Sequence, residues 1–403
     1  MSYSLKHLIQ FDPSNLSAFG TLETGELRPV FQTDFIYGIN SQVGAVTTAN
    51  SATADVNSAR LRLQSGTNSA GSAYYQSRVA IKYRAGQGVT ARFTAAFSTS
   101  AASNTQVVGM GGTVDGYFFG FNGTTFGILH RNASSDTWVA QASWNGDKAD
   151  GTGASAFNLN KTYGNVYMIK YPYLGYGDIM FFIEDSNTGR FILVHTIKYA
   201  NTTATTQLSN PNLYFFARSL NAGSTTNCIV YVGSVGVFLS GERAFVTNPK
   251  WATDNNKTGV TAETVILSVK NATTYNGILN RSLVRLNSMS VGTDAAAGKV
   301  TVIRLRIGAT VGGSPSFATI NGTTADSGVT ITSGNSVASV DVAGTTYTGG
   351  NLVFNLALAT PGNSIIDLVP YDLYIAPGEI LSVGGYATAT ATIGVALNWS
   401  EDI

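Results

Sequence analysis

Charge is scarce in this sequence. Only 12% of its 403 residues are Asp, Glu, Lys or Arg, about half the share of a typical globular chain. The charges nearly cancel, leaving a formal net charge of +1. A nucleic-acid partner needs a basic surface to hold phosphates, and 24 scattered Lys and Arg residues do not make one. There is one cysteine, Cys228, so no intrachain disulfide can form, and a chain of this length can be stable without one. No run approaches the roughly 18 consecutive apolar residues of a membrane-crossing helix, so no membrane span is expected. The opening MSYSLKHLIQFDPS has neither a basic start followed by a long apolar core nor a small-residue cleavage site, so a classical secreted protein is not expected. Helical periodicity is missing too. Stretches near 260–264 and 294–297 could hold a turn of helix, and no amphipathic helix of any length is found.

What is abundant points one way. There are 44 glycines, 19 tyrosines and 20 phenylalanines among many Thr, Ser, Ala and Asn residues. Disordered chains are poor in aromatics and rich in charge, so this is not disorder. Small polar residues, aromatics and turn glycines together suit an all-β protein.

The clearest local signal is Gly116 to Arg131, GYFFGFNGTTFGILHR, where two apolar runs meet at Asn122-Gly123. Asn-Gly between β-rich runs is the strongest short-range hairpin signal, because a type I′ turn needs positive φ at both central residues. A two-residue loop sets Phe121 opposite Thr124, Phe119 opposite Phe126, Tyr117 opposite Ile128 and Asp115 opposite His130. A four-residue loop, Asn122 to Thr125, shifts the pairing by two and leaves both faces unchanged. One face is then an aromatic slab, and the other sets Phe118 and Leu129 among Gly116, Gly120 and Gly127.

Length allows two domains or one very large sandwich. Residues 1–27 show no sustained period and read as an extended arm. From 28 to 240 roughly ten short strands recur with turns about every 8 to 12 residues, which predicts an antiparallel β-sandwich. In it PVFQTDFIYG reads as a first strand, and Ile39 to Ala59 as a long loop or a weakly specified strand. YYQSRVAIKYR and VTARFTAAFS read as strand, turn, strand about Gly86-Gln87-Gly88. IMFFIE and RFILVHTIKY read as a hairpin about Asp185 to Gly189. The apolar pattern lapses over 241–259, read as a linker. Eight short strands over 260–403 predict a second sandwich of jelly-roll type.

Chemistry-bearing residues are few. Hydrolysis of a glycoside needs two carboxylates about 5 to 9.5 Å apart, yet Glu184 and Asp185 are adjacent and no strand carries acids at alternate positions. His7, His130 and His195 are not spaced as metal ligands, and Cys228 has no second thiol near it, so no metal and no cofactor are expected. His130 opposite Asp115 reads as a cross-strand polar pair rather than a proton-transfer pair, and Cys228, alternating with Val230 and Val232, as a core thiol. Asp147 and Asp150 in NGDKADG read as a solvated turn rather than a calcium loop. Gly109, Gly111 and Gly112 lack the Lys-Ser/Thr and the helix of a phosphate loop. Tyr171, Tyr173 and Tyr176 in YPYLGYGD could stack on a sugar, although turn tyrosines more often pack a rim.

The run DGYFFGFNGTTFGILHR, with the upstream KYRAGQGVTARFTAAF, resembles a segment of structural proteins of tailed phages and large DNA viruses, whose N-terminal part is a concanavalin-like β-sandwich. YIAPGEILSVGGY followed by VALNWSEDI is similar to the last strands of viral jelly-roll modules. The resemblance implies a place on the virion surface, as capsid decoration, head fibre or spike component, with other virion proteins as partners. It supplies no catalytic, cofactor or metal residues. The expectation is a structural protein that is not an enzyme and forms a homo-oligomer, a trimer by the viral analogy, contributing to host attachment. A carbohydrate-binding adhesin that holds a host-surface glycan is the alternative, with a glycoside hydrolase ranked behind it. Flat strands such as YATATATIGVAL would be hazardous as free edges, which oligomerisation would cover.

Overall fold

The computed structural model describes residues 16–17, 27–98, 100–240, 248–321, 335–359 and 361–402. The expected arm, 1–27, lies almost wholly outside them. Contacts divide the chain into two compact units, 1–244 and 245–403. Both are built from antiparallel β-sheet, and the helical turns among the described residues are two short 3-10 turns, Gln141–Ser143 and Val369–Tyr371.

The first unit is a sandwich of a seven-stranded and an eight-stranded sheet. From edge to edge the seven-stranded sheet runs Ser135–Ala140, Thr125–Asn132, Gly116–Asn122, Asn104–Gly111, Tyr214–Asn221, Ser72–Ser77 and Gly44–Ala49. The other runs Arg190–Ile197, Ile179–Asp185, Asn165–Tyr171, Val89–Phe97, Ile229–Ser240, Arg60–Gln64 and Thr53–Asn57, with Leu27–Asp34 also pairing on Ile229–Ser240. Alternation of side chains puts Tyr117, Phe119, Phe121, Phe126 and Ile128 between the sheets. There Phe119 meets Tyr167 and Phe181 of the facing sheet at 4.8 and 5.4 Å between ring centroids.

The central hairpin takes the register of the four-residue reading but closes it with a two-residue turn. Phe121 pairs with Phe126 and Asn122 with Thr125, so Gly123 and Thr124 turn the chain. Only Gly123 of these has positive φ, 60°, which places glycine at the first central position as a type II′ turn does. The register keeps both aromatics in the core, with Phe121 and Phe126 centroids 5.1 Å apart. Phe118 covers the glycines behind it: a Cβ on Gly111 or on Gly116 would come within 2.5 Å of its Cζ.

One expectation about strand pairing is corrected. Ser72–Ser77 and Val89–Phe97 do not form a hairpin but lie in different sheets, so KYRAGQG crosses from one layer to the other. Each finds partners far away in sequence, Tyr214–Asn221 for the one and Ile229–Ser240 and Asn165–Tyr171 for the other, and turn residues alone do not reveal that. The stretch 39–59 holds two strands, Gly44–Ala49 and Thr53–Asn57. The Asp185 hairpin forms with its carboxylate accepting from Asn187 N–H and Thr188 Oγ–H, both at 2.9 Å.

The second unit has eight principal strands, in chain order Lys250–Val260, Thr264–Asn271, Val284–Thr293, Val300–Gly312, Thr346–Ala359, Gly362–Asp367, Ile380–Ala387 and Ala391–Glu401. One sheet sets the first beside the eighth, third and sixth, and the other sets the second beside the seventh, fourth and fifth. That order is the doubled Greek key of a jelly roll. The expected linker, 241–259, is corrected at its C-terminal side, because Lys250–Val260 is a strand paired along Ala391–Glu401. Its inward positions are Trp251, Thr253, Asn255 and Lys257, and only the first is apolar, so the pattern did not show. Asn255 Nδ2 and Lys257 Nζ donate instead to the backbone oxygens of Ile266 and Val342, at 2.6 and 2.7 Å. YATATATIGVAL is not a free edge either, since Ile380–Ala387 and Ala391–Glu401 each pair on both sides. The edges on one side of the roll are Thr346–Ala359 and Gly362–Asp367.

Candidate functional site

The aromatic residues of the seven-stranded sheet occupy both faces. On the outer face the register sets Gln76, Phe216, Gly109, Phe118, Leu129 and Trp138 in one row. The next row holds Tyr74, Arg218, Val107, Gly120 and Gly127. Phe118, Phe216, Leu129 and Val107 form a buried cluster of their own, and half-buried Tyr74 and Trp138 pack against it. Tyr74 and Phe216 lie 5.4 Å apart and Phe118 and Phe216 6.0 Å apart between centroids. The result is an apolar floor with a tyrosine and a tryptophan reaching its surface.

Two arginines stand on this floor. Arg131 is held by Asp136 through Nε at 2.6 Å and Nη2 at 2.8 Å, and Nη1 donates to Gly112 O at 3.0 Å. Its guanidinium sits 5.9 Å from the centre of the Phe118 ring. Arg218 is half-buried and makes one hydrogen bond, from Nε to Ser72 Oγ at 3.4 Å. Burial lowers its pKa, and the positive charge of Arg131 lowers it further against the opposing effect of Tyr74 and Asp136. It stays protonated at any ordinary pH. Tyr74 OH, Trp138 Nε1 and the Gln76 amide have no hydrogen-bond partner among the described residues. The face therefore offers stacking surface, neutral donors and acceptors, and one cation that forms no ion pair among the described residues.

A second recess lies at the hairpin tip. Two cavities of about 500 and 410 Å³ share Phe121 and Lys161 in their walls. Asn158, Asn160 and Thr162 line one, Gln141 and Asp150 the other. Lys161 Nζ lies 5.8 Å from the centre of Phe126, and burial lowers its pKa against the charge of Asp150.

The sequence candidates fall elsewhere. His130 Nε2 donates to Gln207 O at 2.6 Å and stacks on Tyr117, whose hydroxyl donates to Gln207 Oε1. Asp115 accepts from Ser209 N–H at 3.0 Å and Ser209 Oγ–H at 2.7 Å. This cluster ties residues 207–209 to the sheet. Burial holds the His130 pKa down, against Gln207 O and the Asp115 charge. Of the three tyrosines, Tyr171 is buried, while Tyr173 and Tyr176 donate to Leu208 O at 3.2 Å and Ala204 O at 3.1 Å, anchoring the same loop. Asp147 accepts from Ala149 and Ser155 N–H at 2.9 and 2.8 Å, and Asp150 from Thr152 N–H at 2.9 Å, so both close turns. Among the described residues no three His, Cys, Asp or Glu side chains group as metal ligands would. Cys228 is buried, and burial pushes its thiol pKa up. Glu184 and Asp185 sit in the hairpin described above. Only the hairpin's part of the outer face, Phe118 and Leu129 among glycines, was readable, because the face is assembled from six strands. The signal within reach was YFFARS, whose alternation places Tyr214, Phe216 and Arg218 opposite Phe215.

No protein-family model matches the chain, and no curated protein matches it. Solved structures do. One from work on endo-acting O-glycanases of the human gut microbiota is 12% identical at a TM-score of 0.36, covering 52% of this chain and 98% of its own. A β-1,3-glucanase from Mycobacterium marinum is 10% identical at 0.35, covering 53% and 99%. A peanut lectin is 11% identical at 0.34, covering 53% and 98%. Likeness at this level carries no argument about this chain, whose sandwich rests on its own sheets. The expectation of a chain that is not an enzyme is withdrawn, since enzymes and lectins stand side by side among these structures and a fold does not choose between them.

Proposed function

We propose that the first unit binds carbohydrate on the outer face of its seven-stranded sheet. The observation that carries this reading is half-buried Tyr74 and Trp138 on either side of a buried Phe118–Phe216 floor, bordered by polar atoms with no hydrogen-bond partner among the described residues. A pyranose presents an apolar face of C–H groups and a rim of hydroxyls. It stacks on aromatic rings, and its rim bonds to side chains such as Gln76. A glycan array probed with the wild type and Trp138→Ala tests the reading. A bound glycan whose signal falls about tenfold in the variant, at unchanged thermal stability, is the expected result. Absence of binding by the wild type, or equal binding by Trp138→Ala and Tyr74→Ala, refutes it.

A second reading is compatible with the first: a component of a virion surface, joined to other virion proteins and assembled as a homo-oligomer, with the glycan on the host. What supports it is the jelly-roll strand order and the edge strand Thr346–Ala359, fourteen residues without a charge. Leu352 and the neighbouring Ile365 and Tyr371 are exposed. A long uncharged edge is a template for pairing with another chain. Light scattering that finds a monomer at micromolar concentration counts against this reading.

A further inference from the structure

We propose that the sugar held on this face is acidic and that Arg218 receives its carboxylate. The inference rests on the reading of the outer sheet face as a glycan site and adds the charge of the ligand. Removing a guanidinium from water is costly unless it is paired and hydrogen-bonded. Arg218 is half-buried, and among the described residues a single long hydrogen bond to a serine hydroxyl occupies one of its five N–H groups. The nearby acid that would pair with it, Asp136, is already engaged through both oxygens by Arg131. Arg131 and Asp136 cancel, which leaves one net positive charge on an aromatic floor.

A carboxylate meets this arrangement in three ways. It fits the planar fork of the free Nη groups with two parallel hydrogen bonds. Its charge offsets the repulsion between the two guanidinium groups. As a monoanion it matches the single surplus charge and does not crowd Asp136. Tyr74, paired directly opposite Arg218 on the neighbouring strand, requires the carboxylate to arrive on a ring that can stack, which a small free anion cannot do. Uronic acids and sialic acids both carry this combination of carboxylate and pyranose ring, and their shared chemistry is what the site reads.

Titration calorimetry on the full chain tests the proposal with two probe pairs: trigalacturonate against its carboxyl-reduced form, and sialyllactose against its carboxyl-reduced form. The proteins are the wild type, Arg218→Gln, Arg218→Lys and Trp138→Ala. At least one acidic probe is expected to bind the wild type about tenfold to a hundredfold more tightly than its reduced form. That advantage disappears in Arg218→Gln, while the reduced form binds as before. Arg218→Lys, which keeps the charge without the fork, restores part of it. The advantage also shrinks as salt rises from about 0.05 to about 0.5 M. Equal binding of acidic and reduced probes overturns the proposal and leaves the glycan reading standing. A preference that survives in Arg218→Gln overturns it too, and assigns the charge reading to another cation such as Lys161. If no probe binds, this proposal falls and the glycan array decides the wider reading; if Trp138→Ala changes nothing, both fall. Unchanged thermal stability of Arg218→Gln excludes misfolding as the cause of a loss.

Discussion

Gly120→Ala is the most informative single substitution in the first unit. Gly120 pairs with Val107 on one side and Gly127 on the other, at the centre of the seven-stranded sheet. A Cβ there would sit well under 3.0 Å from the carbonyl oxygen of Gln106, a backbone atom that cannot rotate away. The strand Asn104–Gly111 must retreat, weakening about two ladder hydrogen bonds at about 1 kcal/mol each. Overpacking adds about 1 kcal/mol, so the cost is about 3 kcal/mol. For a unit of this size that lowers the midpoint of its thermal transition by about 6–12 °C. Gly123→Ala is the control. Its φ is positive, 60°, but its nearest neighbour atom is 3.9 Å away. Its cost is therefore the left-handed backbone alone, about 1 kcal/mol and about 2–4 °C. Calorimetry of the full chain measures both, and hydrogen exchange of peptides spanning 104–132 assigns the transition to the first unit. Equal shifts, or a larger one for Gly123→Ala, would show that close approach of the strands is not what the glycine provides.

Two further predictions concern buried polar groups. His130 and His195 both have pKa values held down by burial, and His195 Nδ1 accepts from Asn145 N–H at 3.2 Å, which requires the neutral ring. The unfolded chain takes up these protons near pH 6.5 and the folded chain only at lower pH. The first unit therefore loses stability as pH falls from about 6.5 through the folded pKa values. Urea midpoints between pH 7.5 and 5 should fall, and fall less in His195→Gln; a flat profile contradicts the assignment. In the second unit, buried Glu401 accepts from Ser336 Oγ–H, from Val337 N–H at 3.0 Å and from Trp399 Nε1–H at 3.1 Å. Glu401→Ala leaves these donors without a partner, at about 3 kcal/mol. A second-unit transition unchanged in calorimetry would refute that role.

Local order was legible in the sequence, and long-range order was not. The hairpin from Gly116 to Arg131 could be read because alternation and an Asn-Gly pair are local signals. Even its turn, one residue further along, was decided by Phe121 and Phe126 meeting in the core. Eight strands announced the second sandwich, except where Asn255 and Lys257 replaced apolar residues on an inward face. The pairing of Tyr214–Asn221 with both Asn104–Gly111 and Ser72–Ser77 has no local signature. That pairing is what assembles Tyr74, Arg218, Phe118 and Trp138 into one surface. The candidate tyrosines Tyr173 and Tyr176 looked available in the sequence, but the fold engages their hydroxyls with backbone oxygens of the 204–208 loop.

The most direct measurement is a crystal structure of the chain with the glycan that scores highest on the array. A glycan on the outer sheet face, with an acidic ring lying against Tyr74 and its carboxylate facing Arg218, is the predicted result. Density for the sugar in the recess beside Phe121 and Lys161, with the outer sheet face bare, would contradict the account.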